Sequence, residues 1–199
     1  RVTAARPGRS RLTASTRGRS RSARGLVSLG SSVIVRAEQP QDQPAVRLVN
    51  LAAFESAAEA DLVAALRQQA RPLVSLVAQE GDEIVGHILF SPVSLGEHAG
   101  LSLMGLAPMA VAPAQQLKGV GSALVRAGLE SCRALGTGAV VVLGHPGYYP
   151  RFGFQPSVRF GIASEYDVPP ETFMVLELRP GYLSGAAETV KFHAAFRGA

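Results

Sequence analysis

Between an apolar run ending at Val111-Ala112-Pro113 and a strongly amphipathic stretch lie six residues, Gln116-Leu117-Lys118-Gly119-Val120-Gly121. That junction demands a strand, a short loop and a helix opened by glycine. The first turn of a helix leaves about four backbone N–H groups without intrahelical partners, and the helix dipole adds roughly half a positive charge there. Gly119 and Gly121 carry no side chains, so an anion can approach this backbone closely. Lys118 brings a full positive charge beside it. The chain must therefore feed a strand into a helix whose N-terminus favours a phosphate or pyrophosphate.

Spacing decides among phosphate loops. The Walker pattern places its lysine after the glycines, whereas Lys118 precedes them. The dinucleotide fingerprint needs a third glycine where Leu124 stands. The spacing that fits is Gln/Arg-x-x-Gly-x-Gly/Ala, which resembles the pyrophosphate loop of the GNAT acetyltransferase superfamily. Downstream, Tyr149-Pro150-Arg151-Phe152-Gly153-Phe154 resembles the Tyr-x-x-x-Gly-Phe ending of the same superfamily, and it follows the apolar run Ala139 to Leu143. The longer string from Gly144 to Phe154 is similar to the YhbS-like bacterial branch. The resemblance spans about Val33 to Tyr182. One departure is Gln115-Gln116-Leu117-Lys118, where many relatives carry an arginine among the first loop positions; Lys118 keeps the charge without the bidentate fork.

The resemblance implies an α/β (α+β) fold: one GNAT-type domain with a mixed central sheet, its fourth and fifth strands splayed apart, flanked by helices. It implies acetyl-CoA as co-substrate, no metal, and transfer of an acetyl group to a primary amine of a small molecule or protein. The loop residues Gln116, Leu117, Lys118, Gly119, Val120, Gly121 and Ser122 are then expected to hold the pyrophosphate. Met109, Ala110 and Val111 are expected to contact the acetyl and pantetheine groups, and Tyr149 to lie near the sulfur. A phenol of pKa about 10 is protonated at neutral pH and can donate to a thiolate. A non-catalytic acyl-CoA-binding or sensing module on the same fold is the alternative, and retention of Tyr149 favours the enzyme.

The base is less marked. An amine of pKa about 10.4 must lose a proton before attack. Glu59 and Asp61 open the second helix and are candidates, but an acid there is also favoured by the dipole alone. His145, after the fifth strand, has a suitable pKa. His87 sits inside an apolar strand and reads as a satisfied core histidine, and Cys132 as a small buried hydrophobe. The four histidines and one cysteine show no metal-ligand spacing, and no Gly-x-Ser-x-Gly elbow occurs.

Pattern places a first strand at Val33 to Arg36, helical spacing from Gln41 to Phe54, and a second helix from Glu59 to Arg67. Strands follow at Leu73 to Ala78 and Ile84 to Leu95, joined by a turn at Gly81-Asp82, and a fourth from Leu101 to Val111 is interrupted by Pro108. Proline donates no hydrogen bond, so Pro108 marks an edge, a bulge or a break in pairing. From Gly119 a helix runs to Leu135, burying Leu124, Val125, Leu129, Cys132 and Leu135. A late strand covers Thr172 to Leu178. Residues 33–183 are expected to form the domain, with 184–199 a C-terminal extension.

Residues 1–37 hold nine of the 20 basic residues and no acidic one, leaving 11 against 15 acidic residues over 38–199. The basic character belongs to the tail, so no nucleic-acid partner is expected for the folded part. Residues 1–32 lack apolar periodicity and are expected to be disordered. A dispensable extension, an organellar transit peptide and a nucleic-acid-binding arm remain open readings of that stretch. A single cysteine fits a reducing compartment, hence a cytoplasmic location. No run approaches the ~18 apolar residues of a membrane span, and a monomer or homodimer is expected.

Overall fold

In the computed structural model, which describes residues 33–198, the elements follow the expected alternation. They are β1 (Ile34–Ala37), α1 (Gln43–Ala53), α2 (Ala58–Gln69), β2 (Val74–Glu80), β3 (Glu83–Leu95) and β4 (Leu103–Val111). Then come α3 (Val120–Ala134), β5 (Ala139–Leu143), β6 (Gln155–Pro156), β7 (Ala163–Ser164), β8 (Phe173–Glu177) and β9 (Thr189–Lys191). The Arg-rich stretch 1–32 lies outside the described residues. None of the described helices is long and apolar enough to cross a membrane.

The sheet runs in the order β1-β2-β3-β4-β5-β8-β6. Strands β1 to β4 are antiparallel neighbours, and Gly81 turns β2 into β3 at a φ of 59°, a conformation glycine adopts without steric penalty. Strands β4 and β5 are parallel, so the chain needs a crossover between them, and α3 supplies it. The segment 184–199, set apart in the sequence as an extension, instead carries β9. Its Val190 and Lys191 pair with Leu95 and Ser94 at the far end of β3. Three residues are too few to show alternation, which is why pattern alone did not find this strand.

Helix α3 packs its apolar stripe on one face of the sheet. Leu124, Val125, Leu129 and Cys132 meet Ile88, Phe90, Met104, Val140 and Val142. Burial pushes the Cys132 thiol up to about 12, so it behaves as a small hydrophobe. Leu135 departs from expectation: the helix ends at Ala134, Gly136 turns the chain at a φ of 78°, and Leu135 is left 53 % exposed. On the other face Val46, Leu62, Val63 and Leu66 from α1 and α2 cover Val77 and Leu89.

A buried polar chain also ties α1 and α2 to the sheet. Asn50 Nδ2 lies 3.4 Å from His87 Nδ1, and His87 Nε2 lies 2.9 Å from Ser75 Oγ. Ser75 donates to Glu38, which also receives Arg67 of α2. A neutral His87 satisfies this chain with Nδ1 accepting and Nε2–H donating. The Glu38 carboxylate, 3.8 Å away, favours the imidazolium, but it is already engaged by Arg67 and Ser75. Burial dominates, with Arg67 adding to it, and pushes the His87 pKa down to about 3.

Two predictions follow from this packing. A Cβ at Gly128 would sit 2.2 and 2.5 Å from ring carbons of the fully buried Phe90. Gly128→Ala should therefore destabilise the fold by up to about 2 kcal/mol, overpacking of about 1–3 kcal/mol set against a helix-propensity gain of about 1 kcal/mol. Chemical denaturation measures it, and a stabilised variant would show that Phe90 yields. His87 titrates near 6.5 when unfolded and about 3 when folded. Its contribution is thus fully present above pH 6.5 and is lost as pH falls toward 3. Unfolding free energy should drop by about 2 kcal/mol between pH 7.5 and 5, and His87→Gln should remove that part of the slope. An identical pH dependence in both proteins would refute the assignment.

Candidate active site at the parting of two strands

Parallel pairing between β4 and β5 runs from Leu103 opposite Ala139 to Leu106 opposite Val142 and then stops. Beyond it, Met109, Ala110 and Val111 pair only with Ile88, His87 and Gly86 of β3. Pro108 lies at the break. Ala107 and Pro108 together stand opposite the single residue Leu89, a bulge that shifts the register. Proline cannot donate to a neighbouring strand. The second edge of β4 therefore presents backbone groups to whatever enters the gap.

A groove of about 530 Å³ follows this edge to the start of α3. Met109 and Val111 of β4, Phe54, Tyr148, and Gly119 and Gly121 at the start of α3 line it. Gly119 caps the helix at a φ of 90°, and no side chain caps it. Among the described residues, no protein acceptor takes the N–H groups of Val120, Gly121 or Ser122; the first helical bond runs from Ala123 to Gly119. A Cβ built at Gly119 meets nothing within 4 Å, and one at Gly121 comes within 3.0 Å of Tyr148 Oη. Side chains here would fill the cradle, so the residues present fit an anionic group such as a pyrophosphate.

The loop is braced for that task. Gln116 Nε2 donates to the Val111 carbonyl at 3.1 Å, joining loop to strand. Leu117 holds a φ of 61°, a strain of about 1–3 kcal/mol for a branched residue, and its exposed side chain lines the groove. The cation in the groove wall is Arg151. Its guanidinium stacks 4.5 Å over the Tyr148 ring and donates to the Gly147 carbonyl.

A second cavity, of about 520 Å³, lies on the other side of Pro108. Leu106, Ala107 and Leu143 from the parting strands meet Glu59 and Leu62 of α2 there. Tyr166, Phe192 and Phe196 form an aromatic wall. The two cavities thus meet β4 on the two residues that flank Pro108, Ala107 in one and Met109 in the other.

The expected site residues divide accordingly. Met109, Val111, Gln116, Leu117, Gly119, Gly121 and Ser122 line the groove. Ala110 is buried on β4, the Val120 side chain joins the core, and Lys118 is exposed and lines neither cavity. Glu59 reaches the second cavity, whereas Asp61 is engaged by Arg47 at 2.8 Å. His145 is exposed, its Nδ1 accepting the Gly147 N–H at 3.0 Å within its own turn, and the structure does not bring it to either cavity.

Tyr149 is 8 % exposed and packs on Gly144, just past β5, and on Phe154. Burial raises its pKa, so the proton stays on Oη. Its neighbour Tyr148 lines the groove itself, with Oη 3.4 Å from Ser122 Oγ. Sequence reasoning missed Tyr148, Arg151 and the aromatic wall. The string Tyr148-Tyr149-Pro150-Arg151 held the first two, but spacing does not say which ring turns inward. Among the described residues no cluster of three or more His, Cys, Asp or Glu side chains is placed to hold a metal.

Comparison with known proteins gives a consistent family. The model described as the acetyltransferase (GNAT) family matches residues 42–154. YjhQ, an uncharacterized N-acetyltransferase of Escherichia coli (strain K12), is 43 % identical over 134 residues, covering 65 % of this chain and 74 % of that protein. YhbS, an uncharacterized N-acetyltransferase of the same strain, is 33 % identical over 165 residues, covering 82 % of this chain and 98 % of that protein. The crystal structure of Escherichia coli YhbS in complex with CoA aligns with a TM-score of 0.78 at 33 % identity, over 83 % of this chain and 92 % of that one. A GNAT family acetyltransferase from Brucella melitensis, in complex with acetyl-CoA, aligns with a TM-score of 0.68 at 36 % identity, over 83 % and 99 % of the two chains.

Proposed function

The chain belongs to the acetyltransferase (GNAT) family, and from that premise we propose that it transfers the acetyl group of acetyl-CoA to a primary amine. One observation carries the reading. The unpaired edge of β4 runs into the glycine-opened N-terminus of α3, whose first N–H groups have no acceptor among the described residues. That geometry suits a ligand with an extended polar arm and a pyrophosphate at its end. The single cysteine suits a reducing compartment, and we propose a cytoplasmic location.

Acetyl-CoA, when bound, supplies an activated thioester; the chain's own residues do the rest. Backbone N–H groups of Val120, Gly121 and Ser122 hold the pyrophosphate, with Arg151 adding a full charge and Tyr148 a hydroxyl beside it. The free edge around Met109 orients the acyl arm and offers N–H groups to the carbonyl oxygen as its charge grows. Glu59, at the neighbouring cavity, takes the proton of the incoming ammonium, directly or through water. Tyr149 Oη holds a proton close to the end of β5. A phenol whose pKa is raised by burial hydrogen-bonds to a developing thiolate and gives its proton up only as the sulfur departs.

Two expectations test the reading. Gly121→Val should weaken acetyl-CoA binding about 10- to 100-fold, the loss of a charge-assisted hydrogen bond of about 1.5–3 kcal/mol. Calorimetry measures it, with thermal melting as the control for folding; unchanged affinity would remove the loop from the site. Tyr149→Phe should lower kcat by about 10²–10³ with little change in the KM for acetyl-CoA. Tyr148→Phe should do the reverse, raising KM and sparing kcat. If Tyr149→Phe keeps full turnover, Tyr149 is packing.

A further inference from the structure

We propose that the cavity beside Ala107 selects an acceptor whose primary amine is carried on an aromatic or branched-aliphatic body. This rests on the acetyltransferase reading and adds the chemical class of the acceptor. The cavity measures about 520 Å³, room for a ring and a short chain. Of the described side chains lining it, Glu59 alone carries a charge. Tyr166 and Phe192 lie 5.6 Å apart between ring centroids, and Phe192 and Phe196 5.3 Å apart. Leu62, Leu143 and Val168 close the remaining walls.

The wall is held in place by the fold. Strand β7 pairs with β9, Ser164 opposite Val190, which brings Tyr166 beside Phe192. Glu165 Oε1 accepts the Phe192 N–H at 2.5 Å and locks the same corner. A preformed apolar cavity loses little on ordering when an apolar body enters. A sugar amine would bring several hydroxyls, and a polyamine a second ammonium, against described walls whose polar side chains are Glu59 and Tyr166. Selection against such acceptors is steep, because an unpaired buried polar group loses its solvation outright.

Glu59 fixes which end points inward. It stands in the first turn of α2, half-buried, and its described side-chain partner is the Ser56 hydroxyl at 3.4 Å. The opposite charge of an ammonium is thus drawn toward α2 at the mouth beside Ala107, next to the break in β4. In the step that follows, the amine nitrogen bonds the acyl carbon as the carbon–sulfur bond breaks. The ammonium sheds one proton to Glu59 and water before attack and a second as the amide forms. The sulfur leaves as the thiol with the proton from Tyr149, which is replaced from solvent.

The test uses the full chain, with 2-phenylethylamine as probe and glucosamine, spermidine and a lysine-containing peptide as competitors. Thiol release should give a kcat/KM for 2-phenylethylamine at least about tenfold above each of the others. Calorimetry should show 2-phenylethylamine binding to the CoA-saturated protein. Ala58 also lines the cavity, and Ala58→Phe, which puts a ring into it, should weaken that binding at least about tenfold and leave acetyl-CoA affinity unchanged; Tyr166→Ala, at an exposed wall, serves if Ala58→Phe fails to fold. Acetyl-CoA binding without preferred turnover of 2-phenylethylamine overturns the acceptor class and leaves the transferase reading standing. No acetyl-CoA binding at all overturns both.

Discussion

Strands β4 and β5 pair over four residues and then separate at Pro108. The proposed site depends on that separation. A parallel pair normally continues until one strand ends, because an unpaired buried edge leaves N–H and C=O groups without partners. Here the ladder stops at Leu106 and Val142, one residue before β5 itself ends at Leu143, while β4 runs on past the bulge at Ala107 and Pro108 to Val111. The unpaired edge is tolerable because it faces a groove. The same strand delivers the chain to the loop that opens α3, so one bend creates both a polar edge and an anion cradle.

The opposite side of the gap is built by a different set of forces. Helices α1 and α2 are held on the sheet by Val46, Leu62, Val63 and Leu66 and by the chain from Asn50 through His87 and Ser75 to Glu38 and Arg67. With Asn50 Nδ2 directed at His87 Nδ1, that chain suits a neutral histidine, the state that burial favours as well. Its consequence lies toward the start of α2. The position of α2 sets where Glu59 and Leu62 stand against Leu106 and Ala107. Core packing and site geometry are therefore coupled through a helix that touches both.

Much of this was legible in the sequence, and the reasons are specific. The α3 stripe, the β2–β3 turn at Gly81 and the break at Pro108 each have a local physical cause, and each stands where pattern put it. Leu135 failed because amphipathic spacing continues past the residue at which Gly136 ends the helix. Strand β9 and the aromatic wall failed because they depend on long-range pairing of two- and three-residue strands, for which no periodicity exists to read. In the candidate site, glycine spacing pointed to the loop whose following N–H groups find no acceptor among the described residues. It did not reveal that Arg151 rather than Lys118 lines the groove, because a side chain 30 or so positions downstream reaches it through the turn after β5.

The central claim is that the free edge of β4 and the first turn of α3 together bind the cofactor. Backbone hydrogen exchange of the full chain, with and without CoA, tests it most directly. Amides of Met109 to Val111 and of Gly119 to Ser122 should exchange more slowly when CoA is present, while those of β1 and β2 keep their rates. Protection confined to other segments, or unchanged exchange at both of these with CoA at saturating concentration, would contradict the account.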